Sequence, residues 1–245
     1  MKRSIRRIII ILAVIAAVAA ISAIIYRAYV SDYYRASDEA YAVLTEQYED
    51  VTIEVMDDMI IFLPKDIKDT ETGLIFYPGG KVEYEAYAPL MLKCAENGVL
   101  CVLLEMPDNL AILDHDAAEG IKDEYPDIKR WFLGGHSLGG VSACMYLSEN
   151  TDDYDGIVLL GAYSSSDLSD TDLEVLLIYG SEDGVMNRKN YEKSRVNLPS
   201  DYTEYVIEGG CHSYFGNYGL QDGDGTPSIT SDEQQEITAS LIAGM

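Results

Sequence analysis

The chain has 245 residues, 48% of them hydrophobic, which is enough for one compact domain with a sizeable core and too few for two large ones. Its formal net charge of −25 at pH 7 disfavours nucleic acid, anionic membrane surfaces and polyanionic substrates as partners. The cysteines lack paired CxxC spacing and therefore predict buried free thiols and no zinc site: Cys94, Cys101, Cys144 and Cys211.

The first 26 residues predict a membrane anchor. A basic segment, 1–7, precedes an apolar run, 8–26, that only Ser22 interrupts. About 20 apolar residues span a bilayer as a helix, whereas a cleaved signal peptide has an apolar region of roughly 7–15. Residues 1–7 are therefore assigned to the cytoplasm, 8–26 to a transmembrane signal anchor in the cell membrane, and the remainder to the exterior. Cleavage and secretion is the alternative, because small residues in the run could form a protease site.

The next elements in the chain are a helix and a hairpin. Residues 37–48 have helical spacing, so 27–48 are interpreted as a juxtamembrane helical stalk and 49–245 as the globular domain. Alternating residues in VTIEVMDDMIIFL (51–63) predict a β-hairpin with Asp57–Asp58 at its middle.

Five short apolar runs of strand length follow. They are GLIFY (73–77), GVLCVLLE (98–105), RWFLGG (130–135), GIVLLG (156–161) and EVLLIYG (174–180). Such runs are typical of strands covered on both faces, as in a parallel sheet with crossover helices. Helices are predicted over 85–97, 109–124, 138–149, 187–195 and 232–242, and a last strand over 203–208. The prediction is an α/β domain with helices on both faces of a mostly parallel sheet. The short segment 162–174 leaves little room for an inserted lid domain, so no substantial lid is expected.

The segment GHSLG (135–139) fits the pattern G-x-S-x-G and lies between a predicted strand and a predicted helix. A sharp strand-to-helix turn strains the backbone of the central serine, and small flanking residues avoid clashes there. Ser137 would stand exposed at the carboxyl edge of the sheet, above a helix N-terminus that favours developing negative charge. Ser137 is therefore the predicted nucleophile, and the alternative is a serine that only caps the helix.

A serine hydroxyl needs a base to remove its proton and an acid to orient that base. Asp183 follows the predicted strand 174–180, and His212 follows the last predicted strand, which gives the usual chain order of serine, acid and histidine. Glu182 is the alternative acid, but Val185 would pack the loop under the sheet and favours Asp183. The other histidines lie in the turn and on a predicted solvent-facing helix: His136 and His115.

A tetrahedral oxyanion requires N–H donors, and Leu138 at the start of the predicted helix offers one. The second is expected in the loop PGGK after the first apolar run, because glycines let the backbone approach a substrate closely. Pro78 has no N–H, so Gly80 or Lys81 is the candidate, and Gly80 is preferred. Lys81 and Tyr214 are also predicted to contact substrate.

One acidic segment imitates a metal site. Residues 221–233 have the spacing of a calcium loop, but Pro227 stands where such a loop needs glycine. We therefore interpret the segment as an ordered loop near His212 and expect no metal.

These motifs together resemble a known family. The segments are FYPGGKVEYEAYAPL (76–90), LLEMPDNLAILD (103–114), GGHSLGG (134–140), YGSEDGV (179–185) and GGCHSYFGNYGLQDGDGTPSI (209–229). In combination they resemble a compact, dienelactone-hydrolase-like subgroup of the α/β-hydrolases with an N-terminal anchor. The resemblance implies the α/β-hydrolase fold, a triad of Ser137, Asp183 and His212, and an oxyanion site near Gly80 and Leu138.

The chain departs from that family in two ways. Pro78 stands where a histidine often opens the oxyanion loop, and dienelactone hydrolases use a cysteine nucleophile. Lactone hydrolysis is therefore not transferred. The expected function is a membrane-anchored serine hydrolase that cleaves a small or acyl-bearing carboxylic ester, thioester or activated amide without a cofactor. An acyltransferase, a peptidase or a non-catalytic binding protein of the same fold are the alternatives.

Overall fold

The computed structural model describes residues 2–245, with the side chains of 5–68 and 70–245. The chain forms two units, and the second begins at Tyr34. In the first, one helix, α1 (Lys2–Ser31), contains the largely apolar stretch Ile5–Ser31, in which an 18-residue segment has a mean hydropathy of 3.2. Its length and composition are compatible with either a membrane anchor or a signal sequence.

The second unit is built on one sheet of eight strands. The strands are β1 (Val51–Val55), β2 (Met59–Pro64), β3 (Thr72–Tyr77), β4 (Val99–Leu104), β5 (Arg130–His136), β6 (Gly156–Leu160), β7 (Glu174–Gly180) and β8 (Thr203–Ile207). Their spatial order is β1-β2-β4-β3-β5-β6-β7-β8. Strand β2 pairs antiparallel with β1 and β4, and every other pairing is parallel. The predicted hairpin and mostly parallel sheet are confirmed.

Helices cover both faces of this sheet. They are α2 (Asp38–Val43), α3 (Ala88–Glu96), α4 (Leu138–Glu149), α5 (Arg188–Ser194) and α6 (Ser231–Ala243). Alternate side chains of each strand point to opposite faces, so Phe76 packs on the side of α2, α3 and α6, and Ile75 on the side of α4 and α5. Strand β4 is buried at every position, which explains its unbroken apolar sequence.

The helix predicted over 109–124 is wrong. The chain forms short 3-10 helices in this region instead: Pro107–Asn109, Ala111–Leu113 and Ile121–Glu124. Asp108 and Asn109 both have positive φ, which a helix cannot accommodate. The hydroxyl of Tyr77 donates to the carbonyl of His115 and accepts from the N–H of Ala118. These bonds satisfy backbone groups that a helix would otherwise pair, and His115 consequently lies on no helix.

The structure from Tyr34 onward differs from the helical stalk that the sequence predicts over 27–48. Tyr34 forms a parallel bridge with Val82, and its N–H donates to the carbonyl of Lys81 at 2.8 Å. Ala36 and Ala40 are buried in the core. This stretch is therefore part of the second unit, and its helix is limited to α2.

Candidate active site

Ser137 occupies a strained turn between β5 and α4. Its φ of 53° and ψ of −118° lie in a region that side chains rarely adopt. The turn closes because its neighbours are glycines: a Cβ at Gly135 would lie 2.5 Å from the backbone of Gly139, and one at Gly139 would lie 2.2 Å from the carbonyl oxygen of Tyr77. The predicted strand-turn-helix arrangement is therefore present, with Ser137 at the N-terminus of α4.

His212 and Asp183 form a buried pair. The Nδ1 atom of His212 lies 2.9 Å from Oδ2 of Asp183, and the two side chains are 1% and 0% exposed. The other carboxylate oxygen, Oδ1, accepts from the backbone N–H groups of Val185 and Met186 at 3.0 and 2.8 Å. Since a carboxylate can only accept, Nδ1 carries the hydrogen, which leaves Nε2 as the basic nitrogen. The alternative acid, Glu182, is exposed and does not reach the imidazole.

Ser137 and this pair meet at the carboxyl end of β6. The N–H of Ser137 donates to the carbonyl of Leu160 at 3.0 Å. The next residue, Gly161, has a φ of 52°, and a Cβ there would lie 2.9 Å from His212 Nδ1 and 3.2 Å from Asp183 Oδ2. Among the described residues, His212 Nε2 is buried and has no hydrogen-bond partner. The fold therefore brings the predicted serine, histidine and aspartate to one edge of the sheet.

The loop after β3 lies against the start of α4. The N–H of Lys81 donates to the carbonyl of Asn109 at 2.7 Å and is thereby engaged. This leaves Gly80 as the preferred donor of the two predicted alternatives. A Cβ at Gly80 would lie 2.8 Å from Cδ2 of Leu138, so the residues proposed to supply the two N–H groups are neighbours.

Tyr87 and His136 fix this loop to the serine turn. The Tyr87 hydroxyl accepts from the N–H of Gly79 at 3.0 Å and lies 2.7 Å from Nδ1 of His136. A phenol has one proton, so we assign Tyr87 as the donor to Nδ1. Burial and the neighbouring ring of His212 hold the pKa of His136 well below its ordinary value, which keeps the ring neutral. The ring centroids of His136 and His212 are 4.4 Å apart. His136 therefore packs against the ring of the base, while its Nδ1 pairs with Tyr87 and that of His212 with Asp183.

A cleft of about 250 Å³ opens beside Ser137. The described residues that line it are mainly apolar and uncharged: Leu138, Val141, Ala162, Tyr163, Val185 and Met186, with Ser137, Gly161 and Asn187. The predicted substrate contacts, Lys81 and Tyr214, do not line this cleft. The space next to the nucleophile therefore suits a small, uncharged group.

A family model described as "Alpha/beta hydrolase family" matches residues 73–236. The chain belongs to the alpha/beta hydrolase family. A search of curated proteins finds no match.

Solved structures share the fold of this alpha/beta hydrolase. A predicted CIB-like hydrolase from Thermoplasma acidophilum is 18% identical with a TM-score of 0.55, over 80% of this chain and 99% of the other. A monoglyceride lipase variant from Saccharomyces cerevisiae is 11% identical with a TM-score of 0.55, over 81% and 96%. Est1E from Butyrivibrio proteoclasticus is 12% identical with a TM-score of 0.55, over 80% and 97%. At these identities the likeness shows the fold alone.

Sequence reasoning missed two side chains that hold the histidine loop of this hydrolase. Gln234 of α6 is fully buried; its Oε1 accepts from the N–H of Cys211 at 2.9 Å, and its Nε2 donates to the carbonyl of Cys211 at 2.8 Å. Asp224 accepts from the N–H of His212 at 3.1 Å. The expected position of 221–233 near His212 is thus confirmed. No pattern in the sequence indicates Gln234. The acidic spacing around Asp224 is a visible signal, but it predicts only an ordered loop and not the bond to His212.

Proposed function

We propose that this alpha/beta hydrolase is a serine hydrolase that cleaves carboxylic esters, thioesters or activated amides. The observation that carries the proposal is the buried His212–Asp183 pair beside Ser137 in its strained turn. A hydrogen-bonded histidine and aspartate next to a serine on a strand-to-helix turn are the parts that nucleophilic acyl transfer needs. Family membership and neighbours named as lipase or hydrolase support a hydrolase.

The proposed reaction has two stages, acylation of Ser137 and hydrolysis of the acyl-enzyme. Nε2 of His212 takes the hydroxyl proton while Oγ of Ser137 attacks the carbonyl carbon, and Asp183 stabilises the resulting imidazolium. The N–H groups of Leu138 and Gly80 stabilise the oxyanion. The imidazolium then protonates the departing alcohol, thiol or amine, which leaves an acyl group on Ser137. Water, deprotonated by the same Nε2, attacks the carbonyl carbon of this acyl-enzyme. The imidazolium then returns the proton to Oγ of Ser137 as the acyl–Oγ bond breaks, which releases the acid and the free serine.

The cleft beside Ser137 selects a short, uncharged acyl group. Its volume of about 250 Å³ lies just below the range of roughly 300–1,000 Å³ that holds drug-sized ligands. An apolar lining without charge leaves an anionic acyl group without a partner.

A series of 4-nitrophenyl esters tests the function and this preference. With the full chain in detergent, we expect kcat/KM to be highest for acetate and butyrate and to fall for octanoate and palmitate. Val141→Phe should fill the cleft and slow butyrate more than acetate, whereas the exposed Val196→Phe should change neither. Absence of turnover above the uncatalysed rate with every ester would contradict the function, and equal rates for all chain lengths would contradict the preference.

The N-terminal helix anchors the enzyme with its second unit outside the cell. The largely apolar stretch Ile5–Ser31 is long enough to cross a bilayer, and the basic residues within 1–7 favour a cytoplasmic N-terminus. We expect a C-terminal epitope tag on membrane-bound chain to be removed by protease added to intact cells, while a cytoplasmic marker survives. A tag that is cut only after lysis would contradict this topology, and a tag released into the medium would favour cleavage of the helix.

A further inference from the structure

Asp224 joins the two loops that carry the acid and the base. Its Oδ1 accepts from the N–H groups of His212 at 3.1 Å, Gly184 at 3.3 Å and Gly225 at 3.0 Å. Its Oδ2 accepts from both the N–H and the hydroxyl of Ser213, at 2.8 and 2.6 Å. One carboxylate thus binds the backbone of the base itself and of the residue that follows the acid.

The backbone of the turn around Asp224 is in direct contact with the backbone of the loop that carries Asp183. A Cβ at Gly184 would lie 2.4 Å from the carbonyl oxygen of Gly223, and a Cβ at Gly225 would lie 2.0 Å from that of Glu182. The N–H of Gly225 also donates to this Glu182 carbonyl at 3.1 Å. The turn around Asp224 is therefore pressed against the acid loop, and a small displacement of the turn would be transmitted to it.

The negative charge of the Asp224 carboxylate favours these hydrogen bonds. Burial alone would raise its pKa, but the hydrogen bonds from Ser213, His212 and Gly184 outweigh burial and lower the pKa below the ordinary value. An ionised carboxylate only accepts, and both of its oxygens face donors. An asparagine at this position would place its NH₂ group, which is a donor, against N–H or O–H donors in either orientation of the amide.

We propose that Asp224 is a positioning residue that holds His212 and Asp183 in register with each other and with Ser137. It acts through backbone N–H groups and through the hydroxyl of Ser213. The inference rests on the proposed function for its effect on catalysis, whereas its effect on the His212–Asp183 hydrogen bond is independent of turnover. This proposal gives a function to the segment whose spacing is similar to that of a calcium loop.

Asp224→Asn tests the proposal, and Asp222→Asn in the same loop is the matched control because Asp222 is exposed. With the full chain, we expect Asp224→Asn to lower kcat about 10- to 100-fold with little change in KM, since misplacement of a catalytic group slows chemistry without weakening binding. Selective ¹⁵N labelling of the three histidines provides the second measurement. The low-field Nδ1–H signal of His212 should shift or broaden in Asp224→Asn and stay unchanged in Asp222→Asn.

A second variant covers the case in which Asp224→Asn does not fold. Ser213→Ala removes the hydroxyl donor to Oδ2 and keeps the backbone donors, so it should produce a smaller loss of kcat and a smaller shift of the His212 signal. An unchanged kcat and an unchanged His212 signal in every folded variant of the two would overturn the proposal. Wild-type turnover reports on the proposed function separately, because the His212 signal can be compared among variants whether or not the chain hydrolyses an ester.

Discussion

Ser137→Ala is expected to lower kcat for ester hydrolysis by about 10⁶, the loss that follows removal of the nucleophile in a serine protease. The remaining N–H groups and the cleft would still bind substrate, so KM should change little. Because alanine removes only a hydroxyl, the fold should be retained. The measurement is the initial rate with 4-nitrophenyl butyrate at saturating concentration.

Ser148→Ala is the matched control for this substitution. Ser148 lies in the last turn of the same helix, α4, where its hydroxyl donates to the carbonyl of Met145 at 2.8 Å. We expect this variant to keep the wild-type rate. A Ser137→Ala enzyme within tenfold of the wild type would contradict the assignment of Ser137 as nucleophile.

His212→Gln is expected to cost a similar factor of about 10⁶ in kcat, because the serine then has no base and the leaving group has no acid. The double variant with Ser137→Ala should lose little more than either single variant, since the two residues act as a unit. His115→Gln is the control, because it keeps the backbone carbonyl of His115 that accepts from the hydroxyl of Tyr77. Full additivity of the two losses would show that His212 does not act on Ser137.

The sheet and the main helices could be predicted because their signals are local. Strand β4 is apolar at every position, and α4 begins and ends where the sequence places it, at Leu138 and Glu149. The segment 109–124 could not be predicted, because its backbone is held by a tyrosine hydroxyl 38 residues away in the chain. Residues 34–48 pack into the second unit through Ala36 and Ala40, small side chains whose burial no periodicity indicates.

The candidate site also has parts that local sequence signals predict and parts that depend on contacts between distant residues. The turn around Ser137 and the chain order of Asp183 and His212 follow from motifs that the sequence displays. The choice between Gly80 and Lys81 depends on whether Asn109 occupies one of the N–H groups, which is a contact between two loops. The residues that hold the site, such as Tyr87, act through buried hydrogen bonds to the backbone. A single tyrosine or aspartate in a loop has no pattern that reveals such a bond.

The most direct test of the account is to label the full chain with a fluorophosphonate and map the modified residue by peptide mass spectrometry. This reagent phosphonylates a serine whose hydroxyl is activated by a base. We expect one adduct, on Ser137, that forms in wild type and in Ser148→Ala and is strongly diminished in His212→Gln. A folded wild-type chain that remains unlabelled, or that carries its adduct on a different serine, would contradict the central claim that Ser137 is the nucleophile of a serine hydrolase.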